Sequence, residues 1–442
     1  MFVDKEKCLG CGVCVQYCPV GVIELKGSVA EIDVEECVEC FNCYRNEICP
    51  VYAITPSPLE WPRSIRRALS DPQTLYSDSS LPSRMPGTGE YGAVQSNPSD
   101  LVWVAIEVGR PHLGTRLHDA EKVAMEAAGS GMSFAPESPL AGLMVDRRTG
   151  KMKEDVLNER VLTAVLEGTV SHEKLESFLS SLEKAGQEIA TVMSVSVSVP
   201  VRENHPLGLD EILRAQKTGV SNIGRIDLGP ERAIREMTHT LHRAAPHGPG
   251  NQEFLLTGMA SSGDALKGTK ERLVKLIEIC EAHGAVNFGD TQEGNIFSLI
   301  LKRTLFRRMG DGAVVGALFD RMDSFQTALE KIKEEALGVA LQLTGDIGEL
   351  MEVCKRVGMT PQRITRSLGI KGRKEKLPSE DTLNIVGLCG HGFVPEAMVR
   401  GAVEGIRKQT TTLEKEVTKM AKCCLCGCFN PGRARRVLES MI

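Results

Sequence analysis

KCLGCGVCVQYCPV (residues 7–20) and ECVECFNCYRNEICPV (residues 36–51) decide how the chain begins. The first places cysteines at Cys8, Cys11, Cys14 and Cys18, with Pro19 after the last; the second places them at Cys37, Cys40, Cys43 and Cys49, with Pro50 after the last. Laying VDKEKCLGCGVC over IDVEECVECFNC, and then CPVGVIEL over CPVYAITP, gives one unit written twice, with the first cysteines 29 residues apart. Such a repeat predicts two structural halves related by a pseudo-twofold axis.

Three thiolates at two-residue spacing wrap three corners of one iron-sulfur cubane, and a remote cysteine before proline is thrown across to the other cluster. On these residues the segment resembles the bacterial two-cluster 4Fe-4S ferredoxins. The resemblance covers residues 1–56, about an eighth of the chain. It implies two 4Fe-4S clusters, one on Cys8, Cys11, Cys14 and Cys49 and the other on Cys37, Cys40, Cys43 and Cys18. The sequence departs from the family pattern where Tyr44, Arg45, Asn46, Glu47 and Ile48 stand between Cys43 and Cys49 in place of three residues. A longer loop changes packing and hydrogen bonding around the sulfurs of the Cys8 cluster, and so its potential. Paired CxxC units also bind zinc, but eight cysteines with two CP endings suit two cubanes better than two tetrahedral ions.

Charge separates this segment from the rest. Residues 1–56 hold nine acidic and four basic side chains, a balance of minus five, while the remainder has forty-nine of each. An acidic redox domain docks on a basic patch of a partner protein, and nucleic acid is not expected there. No stretch approaches the ~20 apolar residues of a membrane span, and MFVDKEKC lacks the apolar core of a signal peptide. The expectation is a cytoplasmic protein with no membrane partner, whose fifteen cysteines serve metals in a reducing compartment.

The fold class read from the sequence is multidomain α+β. Residues 57–100, with Pro58, Pro62, Pro72, Pro82, Pro86 and Pro98, read as a Pro/Ser-rich linker draped as an extended arm and pinned by Trp61, Tyr76 and Tyr91. Residues 101–205 read as strand (LVWVAIEV), helix (119–128), strand (LAGLMV, 140–145), apolar run (VLTAVLEGTV), helix from Ser171, and strand (TVMSVSVSVPV). This order resembles the ferredoxin-like βαββαβ sandwich of ACT-like ligand-sensing domains, in pattern only; it leaves the domain's function open, a small-molecule ligand being one option. Residues 206–250 are a connection. Residues 251–442 read as a mostly helical domain, through GTKERLVKLIEICEAHG, GNIFSLILKRTLFRR, DSFQTALEKIKEEALGVALQL and a last helix from Glu396, with Cys280 and Cys354 as packed thiols.

Four further features carry chemistry. CCLCGC places Cys423, Cys424, Cys426 and Cys428 together, and GLCGHG adds Cys389 and His391 upstream. Two or three of the clustered cysteines with Cys389 suit a third iron-sulfur cluster or a zinc ion; alternatively Arg433, Arg435 and Arg436 lower thiol pKa values and make them reactive. His239 and His242, one helical turn apart, with His247 beyond, have metal-ligand spacing, although a solvated helix end explains them more simply. GRPHLGTR offers Arg110, His112 and Arg116 to an anionic ligand or cofactor, although loop residues in solvent are the simpler reading. ELMEVCKRVGMTPQRITRSLGIKGRK resembles a helix-turn-helix, with Gln362, Arg363 and Arg366 toward bases and Lys371, Arg373 and Lys374 toward phosphates, although a helix hairpin inside an ordinary helical domain explains it more simply. The glycine-rich GMASSGDALKGTK and GDGAVVG miss nucleotide-binding spacing.

The leading reading is an iron-sulfur electron-transfer protein, an electron-delivering subunit or domain of an anaerobic oxidoreductase. A redox-responsive regulator that senses a metabolite and binds DNA is the second reading, and a sulfur-transfer or maturation factor using the C-terminal thiols is the third.

Overall fold

A computed structural model describes residues 1–74, 101–136, 138–202, 205–206, 223–228, 253–260, 267–299 and 302–442. Tyr76, Tyr91, His239, His242 and His247, most of the 206–250 connection and the second half of the linker lie outside the described residues.

In the N-terminal domain two short antiparallel ribbons, Phe2–Val3 with Ile54–Thr55 and Ile23–Lys26 with Val29–Ile32, frame the cysteine loops. Residues 57–74 are not an extended arm. Ser64–Ser70 is a helix whose Ile65, Arg66 and Ala68 are buried, because Arg66 finds carbonyl and carboxylate partners on both sides. Trp61 does pin the segment, donating to Asp155 beneath the ammonium of Lys153.

The body begins with β1 (Leu101–Val108), α1 (Leu117–Gly129), β2 (Ser133–Phe134), β3 (Ala164–Ser171), α2 (Leu175–Glu188) and β4 (Val192–Arg202). Its lateral order is β4-β1-β3-β2, antiparallel throughout. The strand expected at 140–145 is instead a 3-10 turn at Pro139–Leu143 running into the short strand Met144–Asp146; proline opens the turn, and Leu140 and Leu143, three apart, are its buried face.

After β5 (Ile223–Leu228), the order recurs in β6 (Phe254–Ala260), α3 (Thr269–Ala282), β7 (Asn287–Asp290), β8 (Val314–Phe319), α4 (Met322–Glu335) and β9 (Val339–Asp346), laid out β9-β6-β8-β7. Then α5 (Ile347–Val357) leads to β10 (Arg363–Gly372). Strands β5 and β10 lie between the two βαββαβ units and join them into one twelve-stranded sheet.

Two sequence expectations fail here. Residues 253–372 are α/β, and helices dominate only from residue 380. DSFQTALEKIKEEALGVALQL, read as one helix, breaks where Ala336 (φ 47) and Gly338 (φ 65) turn left-handed, and VALQLTGD then runs as a central strand. The helix-turn-helix is a helix-turn-strand: α5 stops at Gly358 (φ 71), and past Pro361 the β-branched Ile364 and Thr365 enter β10. Arg363 is buried on Ser198, and Lys371 pairs with Glu183, so neither faces outward for a DNA groove.

One sheet face packs under α1 to α5 in the larger core. The other carries α6 (Glu380–Val386), α7 (Glu396–Arg407), α8 (Leu413–Cys423) and α9 (Pro431–Met441). These helices share a second core with Leu255 and Leu318 of the sheet and with Tyr17, Val38 and Cys40 of the N-terminal domain.

Candidate redox site

The eight N-terminal cysteines separate into two spatial groups. Cys8, Cys11, Cys14 and Cys49 line one cavity with Leu9 and Ile54. Cys37, Cys40, Cys43 and Cys18 form the other; burial first, then neighbouring charge, pushes the Cys37 thiol up to about 11 and raises Cys40 and Cys43 further. Thiols buried this closely stay protonated unless a cation offsets their charge. Backbone N–H groups already point at the sulfurs, from Ala30 to Cys8 Sγ (3.4 Å), Val22 to Cys18 Sγ (3.3 Å) and Ala53 to Cys49 Sγ (3.2 Å). Such donors stabilise anionic sulfur and raise cluster potential.

The two groups face different surroundings. Cys11 is exposed, between Leu9 and Val13, which are also exposed, and Tyr52 is 72% exposed. Cys37 and Cys40 are buried, and Cys40 packs in the core shared with α6 to α9. Asn42, inside the second cysteine run, donates to Tyr17 O (2.8 Å) and to Phe393 O (3.0 Å). Arg45, in the long loop before Cys49, donates to Cys40 O (3.0 Å), pairs with Asp71 and lies 5.1 Å above the Phe393 ring. Arg66 donates to Cys37 O (2.9 Å) and pairs with Glu159, and Arg116 and Arg160 both hold Glu36. The extra residues before Cys49 are therefore part of a dock.

Beyond Phe393, whose ring stacks on His391 at 5.8 Å and 12°, lies the C-terminal cysteine loop. Asn295 Nδ2 donates to Ala421 O (2.8 Å) and Cys424 O, and Asn287 Nδ2 to Phe429 O (2.9 Å). The loop presses on the sheet so closely that a Cβ on Gly316 would sit 2.4 Å from Cys426 O, and one on Gly289 2.6 Å from Leu425 O. Held this way, Cys424 Sγ is 3.9 Å from Cys426 Sγ and 3.8 Å from Cys428 Sγ, and Cys426 and Cys428 are 3.1 Å apart. His391 Nδ1 is 3.5 Å from Cys426 Sγ. Cys389 adjoins the set, its thiol lowered to about 5 by hydrogen bonding from Cys424, with His391 adding to the effect. Cys423 stands apart: its thiol donates to Lys419 O (3.7 Å), one helical turn back.

The anion reading of GRPHLGTR gives way to a structural one. Arg110 donates to Thr163 and to Gly390 O, Arg116 to Glu36 and Asn158 O, and half-buried His112 accepts from Glu396 N. Cys280 and Cys354 are core thiols, pushed up to about 12 by burial. Sequence reasoning missed Asn42, Phe393, Asn287 and Asn295; only the added residues before Cys49 signalled that the domain has a built-in partner.

On the loop's side of the sheet, a cross-strand row continues from Gly316 through Thr257, Gln342, Asp227 and Arg363. All four polar members are buried, and Thr257 Oγ1, Gln342 Oε1 and Asp227 Oδ2 lack hydrogen-bond partners among the described residues. Burial raises the Asp227 carboxyl pKa against the pull of Arg225.

The 4Fe-4S binding domain family matches residues 1–24. Pyruvate synthase subunit PorD of Methanothermobacter marburgensis is 43% identical over 53 residues, 12% of this chain and 59% of that protein, so the chain spans less than two thirds of that relative. Ferredoxin-3 of Nostoc is 34% identical over 77 residues, covering 13% of this chain and 77% of its own length. A ferredoxin-like protein in the vnf region of Azotobacter chroococcum is 37% identical over 60 residues, covering 13% of this chain and 92% of its own. No solved structure matches the chain. Through its N-terminal iron-sulfur domain the chain belongs to the ferredoxin family of electron-transfer proteins.

Proposed function

We propose that this protein takes electrons at the exposed end of its ferredoxin domain and passes them into its own body, as an electron-delivering component of an oxidoreductase of anaerobic metabolism. Cys8, Cys11, Cys14 and Cys49 would hold the entry cubane, and Cys37, Cys40, Cys43 and Cys18 the exit cubane; each would supply one-electron chemistry. The observation that carries this reading is the asymmetry of the two thiol groups, one opening past Leu9 and Cys11 to solvent and the other reaching, through Cys40, the core shared with α6 to α9. The likeness to a pyruvate synthase subunit supports the metabolic setting. The donor is a small redox protein with a basic surface, suited to the domain's acidic balance. On the body, the buried row Thr257, Gln342 and Asp227 offers acceptor atoms to a polar small molecule that donates hydrogen bonds.

The test is stopped-flow reduction of the anaerobically purified full chain by a reduced carrier protein with a basic surface. Raising ionic strength and substituting Leu9→Lys or Tyr52→Lys are each expected to slow reduction several-fold, leaving the cluster spectrum unchanged. Reduction indifferent to salt and to both substitutions would overturn the reading.

A further inference from the structure

We propose that Cys424, Cys426 and Cys428 hold a single thiophilic divalent cation, zinc or ferrous iron, with His391 Nδ1 beside its fourth position. This rests on the C-terminal geometry alone and stands or falls separately from the electron-transfer reading.

Spacing carries the argument. An ion bound tetrahedrally by thiolates at about 2.3 Å sets its sulfurs about 3.8 Å apart, and an imidazole nitrogen at about 2.1 Å comes about 3.6 Å from a neighbouring sulfur. The Cys424 sulfur lies 3.9 and 3.8 Å from its two partners and His391 Nδ1 is 3.5 Å from Cys426 Sγ, while the Cys426 and Cys428 sulfurs, 3.1 Å apart, must spread by about 0.7 Å to take an ion between them. A cubane places each thiolate on an outward corner, farther from its fellows than ligands of one ion stand. The N-terminal cysteines provide the comparison within the same molecule: among the described residues, Cys424, Cys426 and Cys428 are the one set of three such side chains whose ligand atoms all lie within 4.8 Å of one another. One chain thus shows two thiol spacings, a wide one in the ferredoxin domain and a narrow one at the C-terminus.

The surroundings are those of a built site. All three cysteines are buried. Gly427 (φ 76) reverses the chain between Cys426 and Cys428, so that alternate residues of a short loop converge. Gly390 N donates to Cys428 Sγ (3.4 Å), and Asn295 and Asn287 hold the loop carbonyls, the outer support that fixes ligand orientation in metal sites. Binding displaces the three thiol protons to solvent as three metal–sulfur bonds form. Cys389, beside Cys424 and His391, is a positioning residue.

Elemental analysis of the anaerobically purified full chain, with acid-labile sulfide measured on the same sample, tests this. The expected result is one metal ion per chain beyond the iron matched by sulfide: a zinc ion identifies zinc, and one iron in excess of sulfide identifies ferrous iron. The C426S/C428S variant should lose that one equivalent and keep its sulfide. Should the variant fail to fold, the wild-type protein still decides, through X-ray absorption showing zinc–sulfur distances of about 2.3 Å or through a high-spin ferrous Mössbauer signal. No surplus ion, or a surplus of iron accompanied by equal sulfide, would overturn the proposal.

Discussion

Asp290 ends β7 with its carboxyl sealed from solvent, 1% exposed, and its Oδ2 unpartnered among the described residues. Burial raises its pKa to about 6, above the ordinary 3.8, even though the backbone of Gln292 donates to it. The unfolded carboxyl ionises first as pH rises, so folded stability falls between about pH 4 and 6 and levels off above, a loss of up to about 3 kcal/mol for a shift of this size. Asp290→Asn is therefore expected to raise the midpoint of chemical denaturation at pH 8 and to leave it unchanged at pH 4, measured on the full chain. Equal effects at both pH values would rule out ionisation as the cause. At this scale the sequence was legible where a residue's partners are its near neighbours: the N-terminal cysteines are marked by their own spacing. Asn42 was not, because its partner Phe393 stands 351 residues away and an asparagine in a cysteine loop looks like any turn residue.

At the scale of elements, the cysteine loop and strand β8 are fitted to each other. Gly316 sits in the middle of β8, where glycine ordinarily weakens a strand by about 0.5–1 kcal/mol relative to alanine. Here the sign reverses, because an added Cβ would lie 2.4 Å from Cys426 O, a backbone atom of a clamped loop. Gly316→Ala is expected to destabilise the protein by about 1–3 kcal/mol and to lower the C-terminal metal content. Gly310→Ala, where a Cβ meets nothing within 4 Å, should be neutral or stabilising by up to about 1 kcal/mol. Thermal unfolding with metal analysis of both variants checks the contrast. The second βαββαβ unit escaped sequence reading for a related reason. Its strands, FLLTGMA, VVGALF and VALQLTGD, are short runs buried on both faces with no clean alternation, and the last follows α4 so closely that the helical period reads on through it. The first unit was easier, because β4 alternates valine with serine and shows its period of two.

Across the whole molecule, the ferredoxin domain is tied to the body by an open ion-pair set at Glu36 and, through the 64–70 helix, by buried Arg66, and their burial sets their worth. Glu36 meets Arg116 and Arg160 with its side chain 36% exposed, and pairs so open to water contribute about 0–1 kcal/mol. Arg66 is 3% exposed and engages Glu159 together with the carbonyls of Glu35 and Cys37. Removing one partner of a buried pair leaves an uncompensated charge and costs about 3–5 kcal/mol. Arg66→Ala is thus expected to loosen the dock: amide exchange should rise across residues 34–38 and 156–162 together, and electron passage from the second cubane into the body should slow, while reduction of the first cubane by an external donor keeps its rate. Glu36→Gln should change none of these beyond the resolution of the measurement. Asn42→Ala, which strands the buried carbonyls of Tyr17 and Phe393 at a cost of about 1–3 kcal/mol, should fall between the two and raise exchange around residues 16–18 and 390–394. A domain that acted as an independent carrier on a tether would show no such ranking, because its cubanes would exchange electrons with outside partners through any face. For electron passage, as distinct from amide exchange, the ranking Arg66, Asn42, Glu36 is expected only if the second cubane works through the surface that these residues seal.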